Sequence, residues 1–224
     1  MGTMGPARGD RSQRHIAAWL VPIAAACVAL YFRQLFLDQT FVLRDHLVYT
    51  WTERKVLADG LRAGRIPEWN DLIGFGTQFA ASSANGVAYP LLWLVALLPL
   101  PFSMDLVIVL HVLVAGVGTA LFARRLGANA LGAVLAGGAF MACGYVASIA
   151  PNKIFIGTAW LPWVAWAADR AAQSNGPGDR ARGAAVLAGI LGAQLLAGDP
   201  ASSITSGLVA LIVTWSRAPG RIQS

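Results

Sequence analysis

Long apolar runs alternate with short polar connections along this chain, and one polar stretch is much longer than the others. The apolar runs cover residues 16–36, 103–123, 130–149, 154–168, 183–197 and 202–216. A helix of about 20 apolar residues crosses a bilayer, so the pattern predicts about six spans, the fourth and sixth of them short. Lipid gives the backbone no hydrogen-bond partners, which leaves helix as the conformation for each run unless the chain closes into a barrel. The expected fold is therefore all-α, a polytopic membrane helix bundle with residues 103–217 as its body. Residues 37–102 form the long connection after the first span and carry Asp38, Asp45, Glu53, Asp59, Glu68 and Asp71. Its end, 88–101, is apolar but only about 14 residues long and holds Pro90, Pro99 and Pro101, which suits a re-entrant or interfacial segment.

Helical spacing from His46 sets Leu47, Trp51, Ala58 and Leu61 on one side and Lys55, Asp59 and Arg62 on another. That pattern predicts a helix lying along the membrane surface. Gly60 and Gly64 weaken and then end it, and Pro67 forces an extended segment that brings Trp69 to the headgroup level. Small-residue stretches at 132–137 and 183–189 allow helices to approach closely.

Composition strengthens the membrane reading, because 56% of residues are hydrophobic and 12% charged, against about 25% charged in soluble domains. The net charge of +6 does not point to nucleic acid, since the basic residues fall in separate clusters between apolar runs. Those clusters read as topology. Arg8, Arg11 and Arg14 put the 1–15 tail in the cytoplasm, and Arg124, Arg125, Arg170, Arg180, Arg182, Arg217 and Arg221 follow on the same side, including the 218–224 end. The connections at 151–153 and 198–200 carry only Lys153 between them and fit the outer side, with the 37–102 loop. A cleaved signal peptide ending near Cys27-Val28-Ala29 is the competing reading of the first run, whose continuation to Phe36 favours an uncleaved anchor. Cys27 and Cys143 both lie in apolar runs and indicate neither a disulfide nor a metal site.

Candidate chemistry gathers on the outer side. Asp45, next to Arg44 and His46, reads either as a helix cap or as a general base or divalent-cation ligand. Arg44 suits a phosphate through its guanidinium fork, and equally a lipid headgroup. Asp199 reads as a second carboxylate or as Asp-Pro turn chemistry. His111, deep in a span, is a functional candidate or a neutral interhelical bond. Lys153 attracts a lipid phosphate or snorkels to the interface. Asp105 complements a helix dipole, and Trp160, Trp163 and Trp166 serve as belt or packing residues.

Further motifs carry a resemblance: Gly64-Arg65-Ile66-Pro67-Glu68-Trp69-Asn70, Gly74-Phe75-Gly76, Tyr89-Pro90, His111 within Leu110-His111-Val112, and Leu195-Leu196-Ala197-Gly198-Asp199-Pro200. In this order, after a first span and an early Asp, they resemble the YfhO-like bacterial membrane proteins of the GT-C glycosyltransferase class. The resemblance implies a GT-C-like bundle in the bacterial cytoplasmic membrane that moves a sugar from a polyprenyl-phosphate-linked donor to an extracytoplasmic acceptor. It implies Asp45 as base or as ligand of a divalent cation such as Mg or Mn. The residues themselves add Asp199 as a second carboxylate that could cooperate with it, and Arg44, His46, Lys153, Trp69, Asn70 and His111 on the substrate side. Asp199 and Ala201 stand where that family has His and Gln. Such proteins continue through more spans, so the chain is expected to be an amino-terminal portion. The alternative from another class is a non-catalytic membrane subunit or a lipid or glycan transporter component, with a further membrane chain as partner.

Overall fold

In the computed structural model, the residues described are 20–37, 39–41, 46–174 and 176–217. The first apolar run forms α1 (Leu20–Leu30) and the short α2 (Phe32–Phe36). Ile23, Cys27 and Tyr31 recur every four residues and are all buried, so one stripe of this helix packs against Ile108, Val109, Val112 and Ala115.

The long connection is folded. A π-turn at His46–Thr50 runs into α3 (Trp51–Arg62), whose buried positions are Glu53, Arg54, Leu57, Ala58 and Gly60. This corrects the surface-helix expectation: helical spacing holds, but the inward stripe contains two charged residues, and Trp51 and Leu61 lie at its edge. Lys55, Asp59 and Arg62 are outside as expected, with Lys55 Nζ 2.8 Å from Asp59 Oδ2. Arg65 N donates to Gly60 O and Gly64 N to Leu61 O, with Gly64 left-handed at φ 69°, so the helix ends in a glycine-dependent C-cap. Pro67 folds back over Gly60, where a Cβ would come within 2.6 Å of the proline ring. The extended segment expected after Pro67 becomes a small hairpin, β1 (Trp69–Asn70) antiparallel to β2 (Thr77–Gln78). A 3-10 turn at Pro90–Trp93 and α4 (Leu94–Leu97) complete the loop. Arg62 donates to the carbonyls of Val95, Ala96 and Leu98, tying the end of α4 to α3.

Next come α5 (Phe102–Arg125), α6 (Ala130–Ala142), α7 (Gly144–Ile149), α8 (Ile154–Thr158), α9 (Leu161–Ala172), α10 (Pro177–Leu196) and α11 (Pro200–Ser216). The chain is thus mostly helical. Among the described residues, two helices, Phe102–Arg125 and Ala130–Ile149, are long and apolar enough to cross a membrane. The other expected spans are shorter, interrupted or charged at one end: the run at 154–168 breaks between α8 and α9, and α10 begins at Pro177, six residues before the run at 183–197, and takes in Asp179, Arg180 and Arg182. Cys143 adopts an extended conformation and separates α6 from α7.

Successive helices run antiparallel, so charged groups collect at two ends. At one end, Asp169 is fully buried and takes ion pairs from Arg125 and from Arg217 (2.7 Å), with Gln173 donating to it at 2.8 Å. This node ties together the ends of α5, α9 and α11. At the other end, Lys153 meets Glu53, Thr40 donates to Asp105 at 2.9 Å, and Gly86 packs against the Ala197 carbonyl. Between the ends, Gly116 and Gly137 bring α5 and α6 into backbone contact.

A Cβ on Gly137 would stand 2.7 Å from the Gly116 carbonyl oxygen, whereas one on Gly138 meets nothing within 4 Å. Gly137→Ala therefore lowers stability by about 1–3 kcal/mol in a detergent unfolding titration, while Gly138→Ala leaves it unchanged or raises it.

Candidate functional site

Two adjacent residues of α3 point into adjoining spaces. Helix geometry turns Glu53 and Arg54 about 100° apart, so both lie on the buried stripe yet face different walls. Arg54 lines a narrow, mostly apolar cavity with Thr50, Val95, Met104, Asn152 and Lys153. Glu53 lines a wider and more open cleft with Tyr49, Thr50, Asn152, Lys153 and Ile154. Thr50, Asn152 and Lys153 belong to both walls, which makes the cleft the mouth of the cavity.

Arg54 is 3% exposed. One guanidinium nitrogen donates to the Asn85 carbonyl at 2.9 Å, and Asn85 in turn donates to the Phe79 carbonyl, so the arginine also anchors the loop at 79–86. Among the described residues no carboxylate forms an ion pair with it. Burial pushes its pKa down to about 10, opposed by the nearby Glu53 charge, so it remains a cation at neutral pH. A desolvated guanidinium without a counter-ion is costly, and its fork of donors fits a phosphate or a carboxylate. Lys153 Nζ lies 2.8 Å from Glu53 Oε1, whereas Glu53 Oε2 is buried and accepts no hydrogen bond.

A second polar cluster lies beneath. His111 Nδ1 is 2.6 Å from the Val107 carbonyl, which can only accept, so that nitrogen carries the proton. Nε2 then accepts from Tyr89 Oη at 2.8 Å, and Trp160 Nε1 donates to the same hydroxyl at 3.0 Å. Every polar atom of this relay has a partner. Burial pushes the Tyr89 pKa up to about 12 against the pull of the Trp160 hydrogen bond, which keeps the phenol protonated.

The residues singled out in the sequence are dispersed. Asp45 and Arg44 lie outside the described residues, as does the side chain of His46, whose backbone opens the π-turn. Lys153 is in the cleft wall. His111 is buried in the relay and serves as a neutral bond from α5 to the loop. Asp199 caps α11, accepting from Ala201 N at 3.2 Å and from the Ser202 hydroxyl, which is also 2.9 Å from Thr158. Asn70 accepts from Leu72 N in the hairpin turn, and Trp69, half-exposed, covers Gly76. Trp163 packs on Gly118 and donates to the Val114 carbonyl, a packing role.

Among the described residues, no three His, Cys, Asp or Glu side chains gather as a metal site. The sequence reading missed Glu53 and Arg54 as a pair, Tyr89 as a network member and Asp169 as a node. The spacing of Thr50, Glu53, Arg54, Leu57 and Ala58 is the signal that reveals the first of these. No family model, curated protein or solved structure matches the chain.

Tyr89→Phe leaves the His111 Nε2 acceptor and the Trp160 indole N–H unpaired while keeping the ring. We expect a loss of about 2 kcal/mol in chemical unfolding, compared with under about 1 kcal/mol for the exposed Tyr49 of the loop changed to Phe.

Proposed function

We propose that the chain is a multi-pass membrane protein with six crossings that acts in GT-C-type glycosyl transfer from a polyprenyl-phosphate-linked sugar. One observation carries this reading: a buried Arg54 without an ionic partner among the described residues stands in the wall of an apolar cavity beside Lys153. A lipid-linked phosphate has the same mixed character, one anion on an apolar chain. The guanidinium fork and the ammonium group receive the phosphate oxygens, and Leu92, Val95, Met104, Val107 and Ile108 take the start of the hydrocarbon.

Sugar transfer from such a donor breaks the bond between the anomeric carbon and the phosphate oxygen. The departing group is already a good one, and positive charge placed on it lowers the barrier further. The acceptor hydroxyl needs a base, the role assigned here to Asp45, which precedes in sequence the turn that brings Thr50 to the cavity. Asp199 is committed to capping α11 and acts by shaping the turn at 197–199. In this orientation Glu53, Arg54 and Lys153 face the outer side, and Asp169 with its arginines faces the cytoplasm.

A second reading has one observation in its favour. The hairpin leaves Trp69, Leu72 and Phe75 exposed, as a docking tip on a non-catalytic subunit or transporter component would be.

Arg54→Met distinguishes a functional cation from a structural one. Replacement of a buried charge by an apolar side chain of similar length is near neutral or stabilising for folding. The Asn85 carbonyl freed by the change offsets that gain, so we expect a stability change within about 2 kcal/mol together with at least a tenfold loss of binding to a short-chain isoprenyl phosphate, about 1.4 kcal/mol. Asp45→Asn abolishes transfer of labelled sugar from membrane carriers at normal protein levels. Undiminished phosphate binding by the Arg54 variant contradicts the proposal, and binding with no transfer under any condition favours the second reading.

A further inference from the structure

Glu53 is not explained by phosphate binding. A carboxylate in the wall of an anion site opposes the anion, and a Lys153 fully committed to the phosphate would need no such neighbour. The side chain is nine-tenths buried, and only Oε1 is engaged, by Lys153 at 2.8 Å. The Glu53 side chain lines the cleft, and its Oε2 is buried and accepts no hydrogen bond among the described residues. A buried carboxylate oxygen without a donor is an unmet demand that a hydroxyl group satisfies well. Arg54, the next residue, faces the inner cavity, and Lys153 borders both spaces. Read from inside outward, the site offers an apolar wall, a guanidinium, an ammonium and then an unsatisfied carboxylate oxygen.

We propose that Glu53 recognises a hydroxyl on the sugar of the lipid-linked donor, with Oε2 accepting the hydrogen bond while Lys153 bridges Glu53 Oε1 and the phosphate. The proposal rests on the phosphate-binding reading given above and adds what distinguishes a glycosylated carrier from a bare one. No bond is made or broken at Glu53. It positions and selects, and its charge keeps Lys153 from binding any phosphate lacking the hydroxyl too tightly.

The test compares a short-chain isoprenyl phosphate with its glucosyl, galactosyl and mannosyl derivatives, titrated onto the purified full chain in lipid nanodiscs. The wild-type protein is expected to bind at least one glycosylated form about tenfold more tightly than the bare phosphate. Glu53→Gln removes that preference and leaves bare-phosphate binding equal or tighter, because Lys153 is released. A structural role for Glu53 lowers both affinities together and overturns the proposal, as does a Glu53→Gln variant that keeps its preference. Wild-type binding of the bare phosphate with no preference for any sugar also overturns it, while leaving the phosphate reading intact. Failure to bind any of these compounds overturns both. Monodeoxy sugar derivatives put the same question to the wild-type protein if the variant does not fold: one deoxy position loses the tenfold preference, and equal binding by all of them contradicts the assignment.

Discussion

Charge has few places to go in an apolar helical bundle, and the architecture follows from where it is put. Moving an ion from water to an apolar interior costs several kcal/mol even after relaxation, so each ionised group must reach a helix end or find a partner. At one end the fully buried Asp169 holds Arg125 and Arg217 and so joins three helices through one carboxylate. At the other end Lys153 holds Glu53, connecting the turn before α8 to the loop helix. His111 in the interior is a neutral imidazole that carries its proton on Nδ1, toward the Val107 carbonyl, and is hydrogen-bonded through Tyr89 to Trp160. Arg54 departs from this rule among the described residues, and that departure locates the proposed site.

The helical bodies were legible in the sequence because apolar runs admit little else. Residues 103–123 fall within α5, and 130–149 cover α6 and α7. Their interruptions were legible only in part. The break at Cys143 has no residue pattern to announce it, whereas the bend between Thr158 and Leu161 falls where Pro162 lacks the N–H that would bond the Thr158 carbonyl. The buried stripe of α3 was hidden for another reason. A periodicity search that admits only apolar side chains assigns Glu53 and Arg54 to solvent, although they sit at core spacing with Leu57 and Ala58. Asp169 was masked by the arginines around it, which read as a topology signal and are also its partners.

Individual site residues divide along the same line. Local chemistry was readable: Asp199 before Pro200 became a helix cap, as its turn reading allowed, and Gly64 became the C-cap that ends α3. Long-range pairing was not. Lys153 meets a carboxylate 100 positions away in sequence, and Tyr89 meets Trp160 at a separation of 71. The motifs held both His111 and Tyr89 without showing that they pair, and Lys153 was singled out by its position without its partner Glu53. The proposed carrier site is thus built from one residue read in sequence and two supplied by the fold.

The account turns on the two charged ends of the bundle facing different compartments. With Cys27 and Cys143 replaced by Ser, single cysteines at Asp71 and Gly178 are probed in intact cells with a membrane-impermeant maleimide. The account predicts that position 71 is labelled from outside and position 178 only after the membrane is opened. Labelling of both positions from the same side, or of position 178 alone in intact cells, contradicts it.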